Sequence, residues 1–504
     1  MIKQSSLIPT IIGGLLGVTA IAWWRARFSE ADKAPYLDEL KTDESVQPAP
    51  PCLNGQISSW GNYPKISAQE YTFKSVDELR QLLKKLSNVI PRGNGRSYGD
   101  SALAPHLIST LNYKKFLSFD AEAGTICCQS GVLLSELLDV TVPKGWFLPV
   151  TPGTKLITVG GAIGSDVHGK SQHKAGNFSD HLISMDIMLT DGSIVTCSAT
   201  ENESLFWTTC GGMGLTGVIV QATMRLLPIE TAYITQETVR ADNLDQMMDL
   251  FEDSESWTYS VAWMDCLKRG KNMGRGFIMR GEHARLEDLA GDARRKHPLE
   301  LKPKPKAIVP FNFPEFVLNS CTMNVFNELL YRKQFKRVIK SVIDYNVFFY
   351  PLDVIYKWNR IYGQRGFTQY QFILPKDKSR EGITAILNKI ADSNIRPFLS
   401  VLKLYGKQNG YLPFGIEGYS LALDFPIRDG LFVLLDELDE IVLGYGGRIY
   451  LTKDARMTER MFKQTYPQVE TFLENLEKIN YENKFRSLQS DRIGLTRSKI
   501  QSFR

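Results

Sequence analysis

The sequence VIPRGNGRSYGD, residues 89–100, places a short apolar run directly before a glycine-rich turn. Upstream, Ser75 and Glu78 have the spacing of a capping box, and leucines at helical spacing follow, which predicts a helix of about three turns. Downstream, residues 107–111 are apolar again and predict another strand. Helix, strand, glycine turn and strand in this order are typical of a domain that mixes α and β structure.

Two further glycine clusters, residues 153–164 and 211–217, follow the cluster at residues 93–99. Glycine has no Cβ, so the backbone N–H groups of residues 93–97 are free to turn toward an anion such as a pyrophosphate. For one cluster alone a plain tight turn is the simpler interpretation, and the three together favour the anion site. Residues 212–217 satisfy GxGxxG, but a β-branched run follows the last glycine where a Rossmann site needs a helix, so that site is rejected.

The chain changes character near Pro228. Before it, residues 187–196 predict a hairpin with an Asp-Gly turn, and residues 217–223 predict another strand, so the first part is α+β. After it, longer alternating segments such as residues 259–263 and 367–374 are typical of an antiparallel sheet. The sequence therefore predicts two folded parts.

Composition excludes several classes of protein. With 504 residues, 43% hydrophobic and 23% charged, the chain is neither disordered, collagen-like nor a polytopic membrane protein. The net charge of +5 is carried by scattered basic residues, which predicts no nucleic-acid partner and leaves anionic lipids or phosphates as ligands. Seven cysteines without a CxxC pair argue against a disulfide framework and against a structural metal site. We expect buried thiols in a reducing compartment.

The first residues predict attachment to a membrane. Residues 7–24 carry no charge and are close to the ~20 residues that a spanning helix needs, which predicts a transmembrane anchor within residues 1–28. A cleaved signal peptide is the alternative, but the run is long for one and no small-residue cleavage site follows. Arg25 and Arg27 outnumber Lys3, which places the globular part in the cytoplasm. Residues 29–58 then form a linker.

Residues 290–315 combine a basic, proline-rich run with an apolar end. One interpretation is a solvated loop whose end packs against the protein. The other is a lid that lies on anionic lipid, which the predicted anchor makes more plausible.

Several motifs together carry a family resemblance. They are GRSYGD (95–100), PGT (152–154), GGAI (160–163), DVHGK (166–170), YQF (370–372), DFPI (424–427) and GGRIYLTKD (446–454). Residues 60–228 resemble the FAD-binding domain of the vanillyl-alcohol-oxidase (p-cresol methylhydroxylase, PCMH) type, in which two α+β subdomains hold an extended FAD. Nearly all of residues 60–495 resembles the decaprenylphosphoryl-β-D-ribose 2′-oxidases, the flavoprotein half of a 2′-epimerase.

The resemblance implies a split FAD-binding domain. Its main part is residues 59–228, an antiparallel substrate-binding domain is inserted at residues 229–445, residues 446–495 return to the FAD domain, and residues 496–504 form a basic tail. With the N-terminal helix, the predicted fold is an α+β PCMH-type flavoprotein on a membrane anchor.

The site residues also follow from the resemblance. Oxidation of a secondary alcohol needs a hydride acceptor, a base and a cation near the flavin N1/C2 edge. His168 and Lys453 are the catalytic candidates, and which of them takes the proton stays open. The implied FAD contacts are Arg92, Gly93, Asn94, Gly95, Arg96, Ser97, Tyr98, Pro152, Gly153, Thr154, Val159, Gly160, Gly161, Ile163, Gly164, Ser165, His168, Gly169, Asn177, Gly214, Gly217, Val218, Ile219 and Lys453. The implied substrate contacts are Tyr98, Trp263, Gln369, Gln371 and Lys403.

Alternatives remain for two of these residues. A lone histidine is more often structural, and Lys403 could be a lysine that snorkels from a strand edge. Tyr98 stands where several oxidases of the superfamily carry a histidine bonded to the flavin, which implies a non-covalent FAD. The family's active-site cysteine and asparagine are replaced by Ala422 and Ser420 here, which leaves the substrate and the sensitivity to cysteine-reactive inhibitors open.

The resemblance implies an oxidoreductase that oxidises the ribose 2′-hydroxyl of a polyprenylphosphoryl-ribose, with a separate NAD(P)H-dependent keto-sugar reductase as partner. The anchor predicted from residues 7–24 would attach this enzyme to a membrane. An aldonolactone or alditol oxidase acting on a small soluble sugar is the alternative within enzymes. A flavin-binding scaffold would not need His168 and Lys453, so their presence argues against that class.

Overall fold

The helix predicted after Ser75 is α1 (Val76–Lys85) in the computed structural model of the chain, which describes residues 52–302 and 307–496. The Ser75 hydroxyl accepts a hydrogen bond from the Glu78 N–H, and Leu79, Leu82 and Leu83 form the buried face. The helix is therefore held by a capped first turn and by one apolar stripe, as its sequence predicts.

The first sheet has four strands, β1 (Cys52–Ser58), β2 (Lys65–Thr72), β3 (Val89–Arg92) and β4 (His106–Ser109). Their order is β1-β2-β4-β3; β1 is antiparallel to β2, and β4 is parallel to both β2 and β3. The strand predicted directly before the glycine-rich turn is present as β3.

The strand β1 corrects the predicted linker at residues 29–58. Its last seven residues are an edge strand in full register with β2. The proline-rich composition that suggested a linker ends at Pro51, and the alternation of Leu53, Gly55 and Ile57 was too short a signal beside it.

The predicted anchor at residues 1–28, and the linker up to residue 51, lie outside the described residues. Within residues 52–302 and 307–496, no helix has both the length and the apolar character that crossing a bilayer requires.

The next strands are β5 (Phe116–Asp120), β6 (Thr125–Gln129), β7 (Trp146–Phe147), β8 (Leu182–Met188), β9 (Ile194–Cys197), β10 (Val218–Arg225) and β11 (Leu227–Pro228). Five of them form the second sheet in the order β5-β6-β10-β8-β9, and β7 pairs with β11. The helices are α2 (Leu134–Thr141), α3 (Val159–Gly164), α4 (Gln172–Ala175) and α5 (Glu203–Thr209). The predicted hairpin is confirmed, since Met188 pairs with Ile194, and β10 begins directly after Gly217, which confirms that no Rossmann helix starts there.

The third sheet is built from strands β12 (Tyr233–Ala241), β13 (Tyr259–Met264), β14 (Gly276–His283), β16 (Val338–Asp344), β18 (Phe367–Pro375), β19 (Ser400–Tyr405), β20 (Gly418–Pro426) and β21 (Arg448–Ile449). Their order is β16-β12-β14-β13-β19-β20-β18-β21, and neighbours run antiparallel, as predicted. A short parallel pair, β15 (Ala307–Ile308) and β17 (Ile355–Tyr356), lies apart from it.

The remaining helices are α6 (Leu244–Glu252), α7 (Asp292–Lys296), α8 (Ser320–Lys333), α9 (Tyr345–Phe349), α10 (Ser379–Asp392), α11 (Leu431–Gly444), α12 (Glu459–Thr465), α13 (Val469–Ile479) and α14 (Leu488–Arg492). Apolar residues of α6, α10 and α11 cover one face of the eight-stranded sheet and form the largest core with it. The opposite face is left for polar side chains.

The C-terminal segment connects the sheets. Strand β21 still pairs with β18, so the eight-stranded sheet continues past the predicted boundary at residue 445. Further on, Phe485 bridges to Val89, and the Leu488 N–H donates to the Leu103 carbonyl, so the chain returns to the first sheet. The domain limits themselves stay a prediction.

Candidate active site

One face of the third sheet collects polar side chains because alternate residues of a strand point to opposite faces. Gln371 on β18 lies opposite Ala422 on β20, and Lys403 on β19 lies opposite Ser420. Their neighbours Leu402, Leu421, Leu423 and Phe372 point into the core on the other side. The predicted substrate residues Gln369, Gln371 and Lys403 therefore share the face that is not covered by helices α10 and α11.

Trp263 belongs to the same face. It pairs with Val401, which lies two residues before Lys403, and its indole packs against Phe277 with ring centroids 5.2 Å apart. The indole Nε1 is buried and has no hydrogen-bond partner among the described residues. Since buried N–H groups normally have an acceptor, this donor is available to a ligand.

His168 reaches this face from the segment that follows α3. The Gln371 amide nitrogen lies 3.2 Å from His168 Nε2, and the imidazole is surrounded by the rings of Tyr405, Phe414 and Tyr450 at 4.7–5.6 Å between centroids. An amide nitrogen only donates, so His168 Nε2 accepts and the ring proton resides on Nδ1. That Nδ1 is buried without a partner among the described residues. Burial, and then the charges of Lys403 and Lys453, hold the His168 pKa well below its usual range, so the ring is neutral.

Lys453 lies against Tyr98. Its Nζ is 3.8 Å from the centroid of the Tyr98 ring, and the Tyr98 N–H donates to the carbonyl of Thr452 at 3.1 Å. The close approach of the two segments requires glycine at position 99, because a Cβ there would lie 1.7 Å from the Asp454 carbonyl oxygen. Burial lowers the Lys453 pKa to about 7, an effect that Asp424 opposes and Lys403 reinforces.

Two more lysines give the site a positive potential. Burial lowers the pKa of Lys403 to about 8, and burial followed by the Lys403 charge lowers the pKa of Lys170 to about 7. The Lys170 ammonium donates to the Phe348 carbonyl and lies 4.3 Å from the Phe348 ring centroid. Lys170 was missed as a site residue, although the DVHGK motif that contains it was the available signal.

Asp424 is the acidic member of the site, and it was also missed. Its carboxylate accepts hydrogen bonds from Gln369 at 2.6 Å and from the Tyr362 hydroxyl at 3.0 Å. Burial raises its pKa to about 6, against the opposing effect of Gln369, Tyr362 and Lys453. The side-chain amide of Gln369, which was predicted to contact substrate, therefore donates to Asp424 instead.

The glycine-rich loops meet beside α3. The Asn94 side-chain amide donates to the Leu156 carbonyl at 2.8 Å, and a Cβ on Gly93 would lie 2.2 Å from the Thr158 hydroxyl. Thr158 in turn caps α3 by accepting from the Gly161 N–H. At Gly153 a Cβ would meet open space, so no close contact requires glycine there. The structure thus joins the loops 93–98 and 152–158, as an extended cofactor requires.

A buried hydroxyl group without a hydrogen-bond partner among the described residues lies close to α3, where the glycine-rich loops meet. The Ser130 hydroxyl lies beside Gly160, where a Cβ would come within 3.0 Å of Ser130 Cβ, and it has no partner among the described residues. In the neighbouring loop, the Arg96 guanidinium lies 4.3 Å from the Trp60 ring centroid. Donors without partners and backbone that only glycine tolerates fit a phosphate-bearing ligand.

Several other predicted cofactor residues make hydrogen bonds or packing contacts within the protein. The Arg92 guanidinium donates to the carbonyls of Ser58 and Ala102, so its side chain is not free for a ligand. Asn177 donates to the Asp166 carbonyl, and Ser165 accepts from the Tyr450 hydroxyl. Seven further positions are packed within the protein: Gly169 against Thr151, Gly214 against Pro91, Gly217 against Met188, and Val159, Ile163, Val218 and Ile219 in the cores.

Comparison with known proteins agrees with this geometry. A family profile described as an FAD binding domain matches residues 70–198, which contain the glycine-rich loops, α3 and His168. The chain is therefore an FAD-dependent oxidoreductase.

Proteins similar in sequence to this chain show which family of FAD-dependent oxidoreductases it belongs to. The chain is 36% identical to a decaprenylphosphoryl-β-D-ribose oxidase of Mycolicibacterium smegmatis over 81% of its own length and 89% of that protein's. It is 28% identical to an L-gulonolactone oxidase of Mus musculus over 38% of this chain and 45% of that one. A D-arabinono-1,4-lactone oxidase of Yarrowia lipolytica is 26% identical over 37% of this chain and 38% of its own. The chain belongs to the decaprenylphosphoryl-β-D-ribose oxidase family.

Proposed function

We propose that this enzyme oxidises the 2′-hydroxyl of a polyprenylphosphoryl-ribose to a ketone, the first half of a 2′-epimerisation. The observation that carries the proposal is the pair Lys403 and Lys170 beside His168 and Gln371, because a phosphate needs cations and a neutral sugar does not. The similarity to an oxidase of decaprenylphosphoryl-ribose over most of the chain supports the same substrate class.

The residues present fit FAD. Ser130 Oγ is a buried polar atom without a partner in the described part of the chain, and the loop that contains Gly93 and Gly95 leaves its backbone open to an anion. When bound, FAD supplies the hydride acceptor. Residues 93–98, 152–154 and α3 would hold its phosphates, and Lys453 and Tyr98 would lie at its ring.

The protein's own groups handle the proton and the sugar. Lys453, with a pKa near 7, is partly neutral at physiological pH and is suited to accept the hydroxyl proton as the C–H bond is broken. His168 stays neutral, and its Nδ1–H is placed to donate to a sugar oxygen while Gln371 fixes the ring. Lys403 and Lys170 hold the phosphate group.

A soluble aldonolactone or alditol is the second candidate substrate. The matches to L-gulonolactone and D-arabinono-1,4-lactone oxidases support it, although they cover less than half of the chain. Such substrates are uncharged and would leave Lys403 without a counter-ion, so the phosphate-bearing substrate is favoured.

Position 422 bears on inhibition. Ala422 is buried and lies across the strands from Gln371, and Ser420 Oγ accepts a hydrogen bond from the Gln371 amide at 3.2 Å. The methyl group offers no thiol at this point, so we expect inhibitors that form a bond to the family's cysteine to bind reversibly here.

The cellular setting completes the proposal. The uncharged run at residues 7–24 would anchor the enzyme in a membrane with its folded part in the cytoplasm, close to a lipid-linked substrate. A separate NAD(P)H-dependent reductase would return the keto-sugar to an alcohol of inverted configuration.

The test is the visible spectrum of the purified protein. We expect a yellow protein that releases free FAD on acid precipitation, because Tyr98 cannot form the histidyl link to the flavin. Anaerobic polyprenylphosphoryl-ribose should then bleach the flavin, whereas L-gulonolactone and alditols should not. Bleaching by the lactone alone would move the assignment to the second candidate, and a protein that stays colourless after addition of FAD would refute both.

A further inference from the structure

Half of the exposed large apolar side chains in the described chain lie in one short part of it. Of the fourteen exposed ones in residues 52–302 and 307–496, seven lie between residues 308 and 338. Five of the seven define what we call the α8 surface: Phe311, Phe316, Val325, Leu329 and Phe335. Phe316 and Phe335 are 75% and 73% exposed, which is unusual for phenylalanine on a soluble surface.

Helix α8 divides its apolar residues between two faces. Met323 and Phe326 are buried and hold the helix to the protein. Val325 and Leu329, at a spacing of four, line the opposite side together with the exposed thiol of Cys321. No side chain within residues 52–302 and 307–496 covers this second, outward-facing apolar stripe.

Basic residues surround the end of this stripe. Residues 316–340 contain five basic residues and one acidic residue, Glu328. Arg332, Lys333, Lys336 and Arg337 are exposed and flank Phe335 on both sides. An aromatic ring within a group of lysines and arginines is the pattern of a protein segment that lies in the headgroup region of an anionic bilayer.

The helix that carries the α8 surface is connected to the candidate active site by packed side chains. Its buried side belongs to a cluster with Trp358, Tyr362 and Phe367, against which Trp60 and Tyr98 pack. The ring centroids of Phe326 on α8 and Phe398 lie 5.1 Å apart, and those of Phe398 and Tyr362 lie 5.9 Å apart. Tyr362 donates to Asp424, so two layers of side chains connect the helix to the charged site residues. A substrate whose tail stays in a bilayer would need an opening on this side.

We propose that the α8 surface docks onto the surface of an anionic lipid bilayer, with Phe316, Leu329 and Phe335 in the headgroup layer. The charge argues for lipid, because a second copy of this chain would bring the same basic group against itself. The proposal concerns where the enzyme sits and does not depend on which hydroxyl is oxidised.

The exposed thiol of Cys321 allows a direct test on the full chain. An environment-sensitive fluorophore is attached to Cys321 and the protein is placed in nanodiscs of phosphatidylcholine with phosphatidylglycerol, or of phosphatidylcholine alone. We expect blue-shifted emission, quenched by brominated lipid, in the anionic discs. Cys321→Ser reports any label on other thiols, and Cys321→Ser with Tyr481→Cys places the probe on an exposed side chain outside the surface.

Charge and apolar contact are tested separately. Lys336→Glu with Arg337→Glu should abolish most of the quenching at Cys321, since each basic residue strengthens binding to an anionic bilayer roughly fivefold. Phe335→Ser should weaken it, whereas Tyr481→Ser, an equally exposed aromatic side chain, should not. Flavin bleaching by a short-chain, water-soluble phosphoryl-ribose should be the same in all variants, so a wrong substrate assignment would be recognised independently.

Two results would overturn the proposal. One is a probe at Cys321 that remains in water in both kinds of disc, like the probe at position 481. The other is a blue shift without lipid that depends on protein concentration and accompanies dimer formation, because the α8 surface would then be an interface between copies of the chain.

Discussion

Lys453 combines a low pKa with a position at the Tyr98 ring, so it is the residue whose loss should affect chemistry most. We expect Lys453→Met to slow anaerobic flavin reduction by about 10²–10⁴-fold, the usual contribution of a proton-transfer group. The fold and FAD content should be retained, because the substitution removes a buried charge.

The matched control is Lys478→Met, an exposed lysine on α13, which should leave the rate unchanged. Stopped-flow absorbance gives the rate and the visible spectrum gives the bound FAD. A Lys453→Met enzyme that retains FAD and reduces it at the normal rate would exclude Lys453 from the mechanism.

Lys403 gives a prediction about pH. Its lowered pKa of about 8 means that the ammonium is present below pH 8 and lost above it. The KM for a phosphate-bearing substrate should therefore rise in two steps, near pH 7 as Lys170 loses its proton and near pH 8 as Lys403 loses its own. In Lys403→Met the KM should be roughly ten- to hundredfold higher at pH 7, because the free energy of one hydrogen bond to a charged group is lost. The rise in KM near pH 8 should disappear in this variant.

Lys407→Met provides the comparison, since Lys407 follows on the same segment but is exposed. It should keep both the KM and its pH profile. If Lys403→Met still shows the rise near pH 8, another group binds the phosphate.

At the scale of elements, the C-terminal helix α14 is fixed by a buried ion cluster. Arg492 pairs with Asp100 at 2.7 Å and with Asp454 at 2.9 Å, and both carboxylates are almost fully buried. Arg492→Met leaves the two carboxylates without a cation, which should cost about 3–5 kcal/mol of unfolding free energy. Urea denaturation followed by tryptophan fluorescence measures this loss.

The control for Arg492 is Arg460→Met, which removes an exposed pair with Glu440 and should cost less than about 1 kcal/mol. The pH dependence gives a further check. In the wild type the lowered pKa of Asp454 contributes stability above pH 4 that is lost as the pH falls. The deficit of Arg492→Met should therefore shrink toward pH 4, and a constant deficit would contradict the ionic explanation.

Elements with local signals could be predicted from the sequence, and those without could not. Capping fixes α1 at Ser75, and the Asp-Gly turn fixes the hairpin of β8 and β9. Strand β1 pairs only with β2 in its sheet, and its sequence was interpreted as part of a linker. The pairing of β1 also places its last residue, Ser58, where its carbonyl accepts a hydrogen bond from Arg92, a residue that the family resemblance had assigned to FAD.

At the scale of the molecule, the candidate site depends on pairings between distant residues. Motifs in the sequence pointed to His168, Gln371, Lys403 and Lys453, but spacing could not predict that Tyr362 bonds to Asp424 across 62 residues. Nor could spacing predict the lowered lysine pKa values, which depend on burial. The roles of these residues stay predictions until the variants above are measured.

The three sheets do not have separate cores, and this predicts how the whole molecule unfolds. Ile90 and Leu107 of the first sheet, Leu402 of the third and Phe462 of the C-terminal segment lie in one continuous apolar cluster. A second cluster joins Ile219 of the second sheet to Tyr259 and Phe348 beyond the predicted boundary at residue 228. Because unfolding of either part would expose the core of the other, we expect a single calorimetric transition for the full chain.

FAD should raise the temperature of this transition as one unit. At a free concentration a hundred times its Kd, a ligand that binds only the folded state adds about 2.7 kcal/mol of unfolding free energy. If residues 229–445 fold as an independent domain, two transitions should appear and FAD should move only one of them. Scanning calorimetry with and without added FAD distinguishes the two cases. A single transition that moves to higher temperature with FAD would mean that the loops at residues 93–100 and the polar face of the third sheet stabilise each other.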